Sequence, residues 1–252
     1  MTRVSELPRS EGDVTARLRA LGFGADDARV LTAHFADAER RGKQSHGFSR
    51  VPWLERQPID PTAQPQRTGS TDGIDWWDGA GAVGYLTLAA VCDAVRADPP
   101  TGARIVVAKR CFPTGALGYW VRGLAEAGLV AVLTATSPRR LPHPTGGRPL
   151  TGTNPLAIAI PSSDGQPLVA DVSMGAVTHG DVLAGKARPE ELVPFGGEQA
   201  HKAFALAVGL ELFVAALAGD EPAAVLVVAR PETDPVPAFR DLAAGLRLPG
   251  DR

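Results

Sequence analysis

Ile74-Asp75-Trp76-Trp77-Asp78-Gly79-Ala80-Gly81-Ala82-Val83-Gly84 is the stretch on which the fold turns: a short strand running into a GxGxxG turn, with helical periodicity from Tyr85 to Arg96 behind it. Strand, glycine turn and helix are the setting of a dinucleotide fingerprint, in which glycines admit a pyrophosphate to a helix N-terminus. The second half of that fingerprint is absent. About 20 residues on, where an acid would hold the ribose, stand Lys109 and Arg110. Basic residues there could favour a 2′-phosphate, but a Gly/Ala-rich turn also arises by composition alone. A Rossmann domain and a plain strand-to-helix turn both stay open on these residues.

Outward from this turn the pattern alternates strand and helix. Arg104 to Ala108 reads as a strand, Ala116 to Ala127 as a helix and Leu129 to Thr134 as a strand, the order of an α/β fold. Upstream, Val14, Leu18 and Leu21 share one helical face. Val30, Leu31, His34, Phe35 and Ala38 share another after an Asp26-Asp27 start, with Gly22 and Gly24 between the two helices. Pro52 to Gly73 reads as an extended connection, and Ser137 to Gly152, rich in Pro, Gly and Arg, as a loop. Leu156 to Ile160 and Leu168 to Ala170 read as buried strands. His201 to Ala218 is a helix apolar almost all round, hence expected to be buried; a strand at Ala223 to Val228 and a helix at Val236 to Leu246 follow. The expected organisation is a helical N-terminal segment (1–60), a main α/β body (61–220) and a C-terminal strand and helix (221–252).

Composition narrows the function. The 252 residues, 44% hydrophobic, can bury a full core, and 26 Lys+Arg against 28 Asp+Glu leave a net charge of -2 without blocks. No basic face invites nucleic acid, so a small-molecule ligand is the expected partner. Cys92 and Cys111 are too few for a disulfide framework or a cysteine-based zinc site, and are read as half-buried thiols in a reducing compartment. Met1 to Gly12 lacks the apolar core of a signal peptide, and no apolar run is read as approaching the ~18 residues of a membrane span. The expected location is therefore the cytoplasm.

Ser45-His46-Gly47-Phe48-Ser49-Arg50 places a hydroxyl, an imidazole and a guanidinium within one short segment after a helix. A guanidinium matches a carboxylate with two prongs and imidazole exchanges protons near neutral pH, so the set could orient and protonate an acid substrate. The same residues could equally meet free carbonyls at a helix C-terminus. GxSxG, HExxH and paired His/Cys spacings are absent, which leaves serine and zinc hydrolases without a motif and no metal expected. His34 is read as a partly buried helix residue and His143 as a loop residue.

Several segments, taken in order, resemble the malate/L-lactate dehydrogenase family. Ser45-His46-Gly47 with Arg50 and Pro52 resembles its SHGxxRxP, Asp78-Gly79 with Gly84 its DGxxxxG, and Gly152-Thr153-Asn154-Pro155-Leu156-Ala157-Ile158-Ala159-Ile160-Pro161 its GTNPLAIAIP. Pro194-Phe195-Gly196-Gly197 with Lys202, Leu206 and Glu211 resembles its PxGGxKGxxLAxxxE helix, with Glu198 to Ala200 inserted, and Leu246 to Gly250 fits its ending. The resemblance implies a mixed sheet, a nicotinamide-binding domain that is not Rossmann, a structural role for Gly79 to Gly84, and a homodimer with its site where subunits meet. It also implies Arg50 on the substrate carboxylate with Ser45 and His46 beside it, and Thr153, Asn154, Asp171, Gly197 and Lys202 at an NAD or NADP site. One departure stands out: where the family has a proton-donating His, the run Cys111 to Tyr119 places Pro113. Val182 to Val193 and the part after Gly219 also read as shortened.

The resemblance thus implies an NAD(P)H-dependent reductase that transfers hydride to C2 of a small 2-oxo or cyclic 2-imino acid. Pro113 keeps an alternative open: a trimmed relative without redox activity, serving a non-redox step or binding.

Overall fold

The computed structural model describes residues 6–71 and 73–251. Part of the N-terminal stretch on which the location was read, residues 1–5, lies outside them. Helices α1 (Glu11–Ala20) and α2 (Ala25–Arg40) open the chain. Ser10 caps α1 by accepting the Asp13 N–H at 3.1 Å, and Val14 and Leu18 are fully buried on its inner face.

The connection from Pro52 to Gly73 holds more order than its prolines imply. It contains the end of α3 (Arg50–Leu54) and a strand, β1 (Gln66–Thr71), which pairs antiparallel with β2 (Ile74–Asp78). A Pro in the first turn of a helix loses no bond, and β1 is an edge strand exposed along nearly its whole length, so neither shows a hydrophobic period. From β2 the chain runs through α4 (Gly84–Ala97), β3 (Ala103–Lys109), α5 (Leu117–Glu126) and β4 (Val130–Ala135). The expected loop at Ser137 to Gly152 is instead largely a hairpin, β5 (Leu141–His143) with β6 (Gly146–Thr151), whose turn uses the positive φ of Gly146. β7 (Leu156–Ile160), β8 (Leu168–Val172), α6 (His179–Leu183), α7 (Ala200–Ala218), β9 (Ala224–Ala229) and α8 (Val236–Leu242) complete the chain.

One seven-stranded sheet, in the order β1-β2-β3-β9-β4-β7-β8, organises these elements. Only β2 and β3 run parallel, so the sheet is mixed and mainly antiparallel, which excludes a Rossmann domain. The glycines of the opening turn have a structural reason. A Cβ on Gly79 would lie 2.3 Å from the Arg110 carbonyl oxygen and one on Gly84 2.6 Å from the Phe112 nitrogen, so both are bare to let residues 110–113 press against the turn.

Helices α4 and α5 cover one face of the sheet, with α2 packed on them and α1 on α2; α7 lies on the other. The expectation that α7 is buried fails: only Ala203, Ala207 and Val214 are, while Leu206, Leu212 and Phe213 are exposed. The run Gly197–Ala218, with mean hydropathy 1.6, is also long and apolar enough by length and composition to cross a membrane, unlike the reading from the sequence. It packs on β3, β4 and β9 of the sheet. Three smaller expectations change as well. His34 is wholly buried, Cys92 and Cys111 are buried rather than half-buried, and His143 closes β5 rather than lying in a loop.

Candidate active site

A cleft of about 380 Å³ opens beside the residues that follow α2. Its walls come from Gly42 to Trp53, Tyr85, Phe112 to Ala116, Thr136 to Arg140, Thr153 with Pro155, Asp171 with Ser173, and Thr178 to Asp181. Glu39 fixes the first by accepting the Phe48 N–H at 2.7 Å. Gly180 then lets α6 approach, because a Cβ there would fall 2.7 Å from the Ser45 carbonyl oxygen and 3.3 Å from an Arg50 guanidinium nitrogen.

Arg50 lies with its guanidinium carbon 5.4 Å from the centre of the Trp53 ring. Among the described residues its Nε is buried without a partner, as is Nδ1 of His46. Burial, then the charges of Arg50 and Lys43, push His46 down to about 3 against the pull of Asp181, so its ring is neutral at pH 7. His179 falls to about 4 through burial and the charges of Arg140 and Arg50. Burial works against the Asp181 carboxylate, yet hydrogen bonds from Thr178 and Ser45 hold it below the usual range. Lys43 is ion-paired with Asp171.

The fold brings Ser45, His46, Arg50, Thr153 and Asp171 together in this cleft, with Pro113 on its wall. Asn154 is elsewhere: fully buried, it donates to the Ala207 carbonyl at 2.9 Å and to Glu211 at 2.7 Å, tying α7 to the sheet. Gly197 and Lys202 lie exposed at the start of α7 and do not line the cleft. The fold also adds Arg140, His179, Asp181 and Tyr85, which no motif marks; the arginines in the Ser137 to Gly152 stretch hinted at Arg140, and the surroundings of His179 in the sequence at that residue.

The model of the malate/L-lactate dehydrogenase family matches residues 11–192. The chain belongs to that family. It is 33% identical over 222 residues to a Δ1-pyrroline-2-carboxylate/Δ1-piperideine-2-carboxylate reductase of Pseudomonas putida, covering 76% of this chain and 64% of that protein. To a (2R)-3-sulfolactate dehydrogenase (NADP+) of Chromohalobacter salexigens it is 32% identical, covering 78% and 60%. It therefore spans somewhat under two thirds of the length of these relatives. Among solved structures, a dehydrogenase from Sinorhizobium meliloti superposes with a TM-score of 0.80 at 26% identity, covering 96% of this chain and 88% of that one. A Δ1-piperideine-2-carboxylate reductase from Pseudomonas syringae gives 0.78 at 25% identity, covering 98% and 92%.

Proposed function

We propose that this family member is an NAD(P)H-dependent reductase of a small 2-oxo or cyclic 2-imino acid. The observation that carries the reading is Arg50, whose Nε is buried without a partner among the described residues, set in the cleft beside His46. A buried donor left open in this way is matched by a carboxylate brought by a ligand. The wall formed by Thr136, Ser137 and Thr153 offers hydroxyls and backbone groups that would hold a nicotinamide carboxamide, and Gly152 lets that wall close, since a Cβ there would lie 2.5 Å from the Ser137 carbonyl oxygen. When bound, reduced nicotinamide supplies the hydride.

The chain's own residues favour an imine over a ketone. Pro113 occupies the position where the family resemblance places a proton-donating His, and proline has no proton to give. His46 and His179 are both neutral at pH 7, so neither arrives holding an imidazolium proton. A cyclic imino acid that enters protonated needs no such donor. NADH and NADPH consumption should thus be faster with Δ1-pyrroline-2-carboxylate than with pyruvate, and Pro113→His should narrow the gap. Ready reduction of pyruvate by the parent would remove Pro113 as the limit. Silence towards both acids, and towards 2-oxo and cyclic 2-imino acids that carry a second carboxylate, in both proteins would favour the second reading, a non-redox relative, to which Pro113 also points.

Self-association completes the proposal. The exposed Leu206, Leu212, Phe213 and Leu217 of α7 form an apolar surface of the kind a homodimer covers.

A further inference from the structure

We propose that the cleft contains a second anion subsite built on Arg140, and that the substrate carries a second acidic group besides the carboxylate held by Arg50. The proposal rests on the reductase reading only for that first carboxylate.

Well-covered guanidinia elsewhere in the molecule meet carboxylates. Arg17 meets Glu55 at 2.6 Å, Arg41 meets Asp37 at 3.0 Å, and Arg122 meets the same Asp37 at 3.2 Å. Arg140 is different. Its backbone is fixed by donation to the Thr151 carbonyl at 2.7 Å, but its guanidinium makes only a 3.3 Å bond to the Pro138 carbonyl. Among the described residues no carboxylate pairs with it or with Arg50. The two acids that line the cleft are already engaged: Asp171 with Lys43, and Asp181 with the Thr178 N–H at 3.0 Å and hydroxyl at 2.6 Å.

Two uncompensated cations therefore share one cleft of about 380 Å³. They are close enough to act on each other and on the same third group. Burial and then Arg50 push Arg140 below the usual guanidinium range, and both cations depress His179 between them. Like charges gathered in a partly desolvated space without a counter-ion store repulsion that a ligand of two negative charges relieves, whereas a single carboxylate leaves one cation facing the other. Neutral His179, beside Arg140, can add a hydrogen bond to the second group.

The second anion could instead be a phosphate of the dinucleotide; the structure favours the substrate because Arg140, Arg50 and His179 act as one cluster. The test measures binding, so it stands or falls independently of turnover. The parent protein is titrated with malonate, succinate, glutarate and adipate and with the monoacids propionate, butyrate, valerate and caproate. Tryptophan fluorescence, to which Trp53 in the cleft contributes, and thermal shift are the readouts. At least one diacid should bind on the order of 10- to 100-fold more tightly than its monoacid counterpart. Arg140→Met should remove that advantage and leave monoacid affinity in place, whereas Arg50→Met should weaken both. Arg140→Lys, which keeps the charge, should retain part of the preference and covers the case in which the Met variant fails to fold. No diacid preference in the parent overturns the proposal. So does an Arg140→Met protein that loses NADPH or NADH affinity while its diacid preference is unchanged, since Arg140 would then serve the dinucleotide.

Discussion

The two faces of the seven-stranded sheet carry similar side chains and meet very different neighbours. Val106, Leu133, Ala159 and Leu226 face α4 and α5 and are all but fully buried. On the opposite face Val107 and Val225 are buried, Val225 against Val214 of α7, while Ile105, Val132 and Val227 around them are only half-buried. Helix α7 in turn leaves Leu212 63% exposed. The contrast teaches that apolar composition reports a need to leave water without saying which molecule provides the cover.

Substitutions on the two faces should separate them most sharply. Leu133→Ala should cost about 2–5 kcal/mol, the range for a large-to-small change in a closed core, measured by urea unfolding of the dilute protein. Leu212→Ala should change that stability by about 0.5 kcal/mol or less. Its effect should appear in sedimentation at micromolar concentration, where the parent is expected to be a dimer and Phe213→Glu a monomer. Equal losses in the two alanine variants would erase the distinction between the faces, and a monomeric parent would remove the homodimer.

A smaller effect is expected where α7 is pinned. Glu211 accepts the Asn154 amide at 2.7 Å and the Gly152 N–H at 3.2 Å, joining the helix to the segment that leads into β7. Glu211→Ala should cost about 1–3 kcal/mol by leaving those donors short of an acceptor. A neutral result would mean that apolar contact alone seats α7.

The smallest effect is a pH dependence on the well-packed face. His34 accepts the Ala116 N–H at 3.2 Å, and burial, followed by the charge of His46, drives it down to about 3. The unfolded chain takes up a proton near pH 6.5, which the native state refuses until about pH 3. This contribution is complete above pH 6.5 and is lost as pH falls, by about 1.4 kcal/mol at pH 5.5. Unfolding at pH 8 and pH 5.5 should therefore differ less in His34→Gln than in the parent. An unchanged difference would place the acid sensitivity in other groups, His46 and His179 first.

Much of the fold was legible because burial on one side writes a period into the sequence. The helices at Glu11–Ala20 and Ala25–Arg40 and the strands β2, β3, β4, β7, β8 and β9 all show it. β1 and the β5-β6 hairpin do not, since Gln66 to Thr71 and Gly146 to Leu150 are exposed on nearly every residue and their glycines and proline mimic a loop. α7 misled in the other direction, its apolar surface being open in the single chain. At the candidate site, Ser45, His46 and Arg50 were readable because one short segment holds them. Arg140 and His179 were not, because they meet that segment only through the fold.

The position of β9 has a consequence for synthesis. The strand at Ala224–Ala229 pairs with β3 on one side and β4 on the other, although both precede it by about 90 residues or more in the chain. As the polypeptide leaves the ribosome, β3 and β4 emerge without the neighbour that joins them, and each presents an open row of amides and carbonyls until the final strand arrives. The two halves of the sheet stay unjoined until Ala224–Ala229 has been made. The nascent protein thus passes through a long interval in which strand edges are free to pair wrongly, and insertion of one late strand closes both at once.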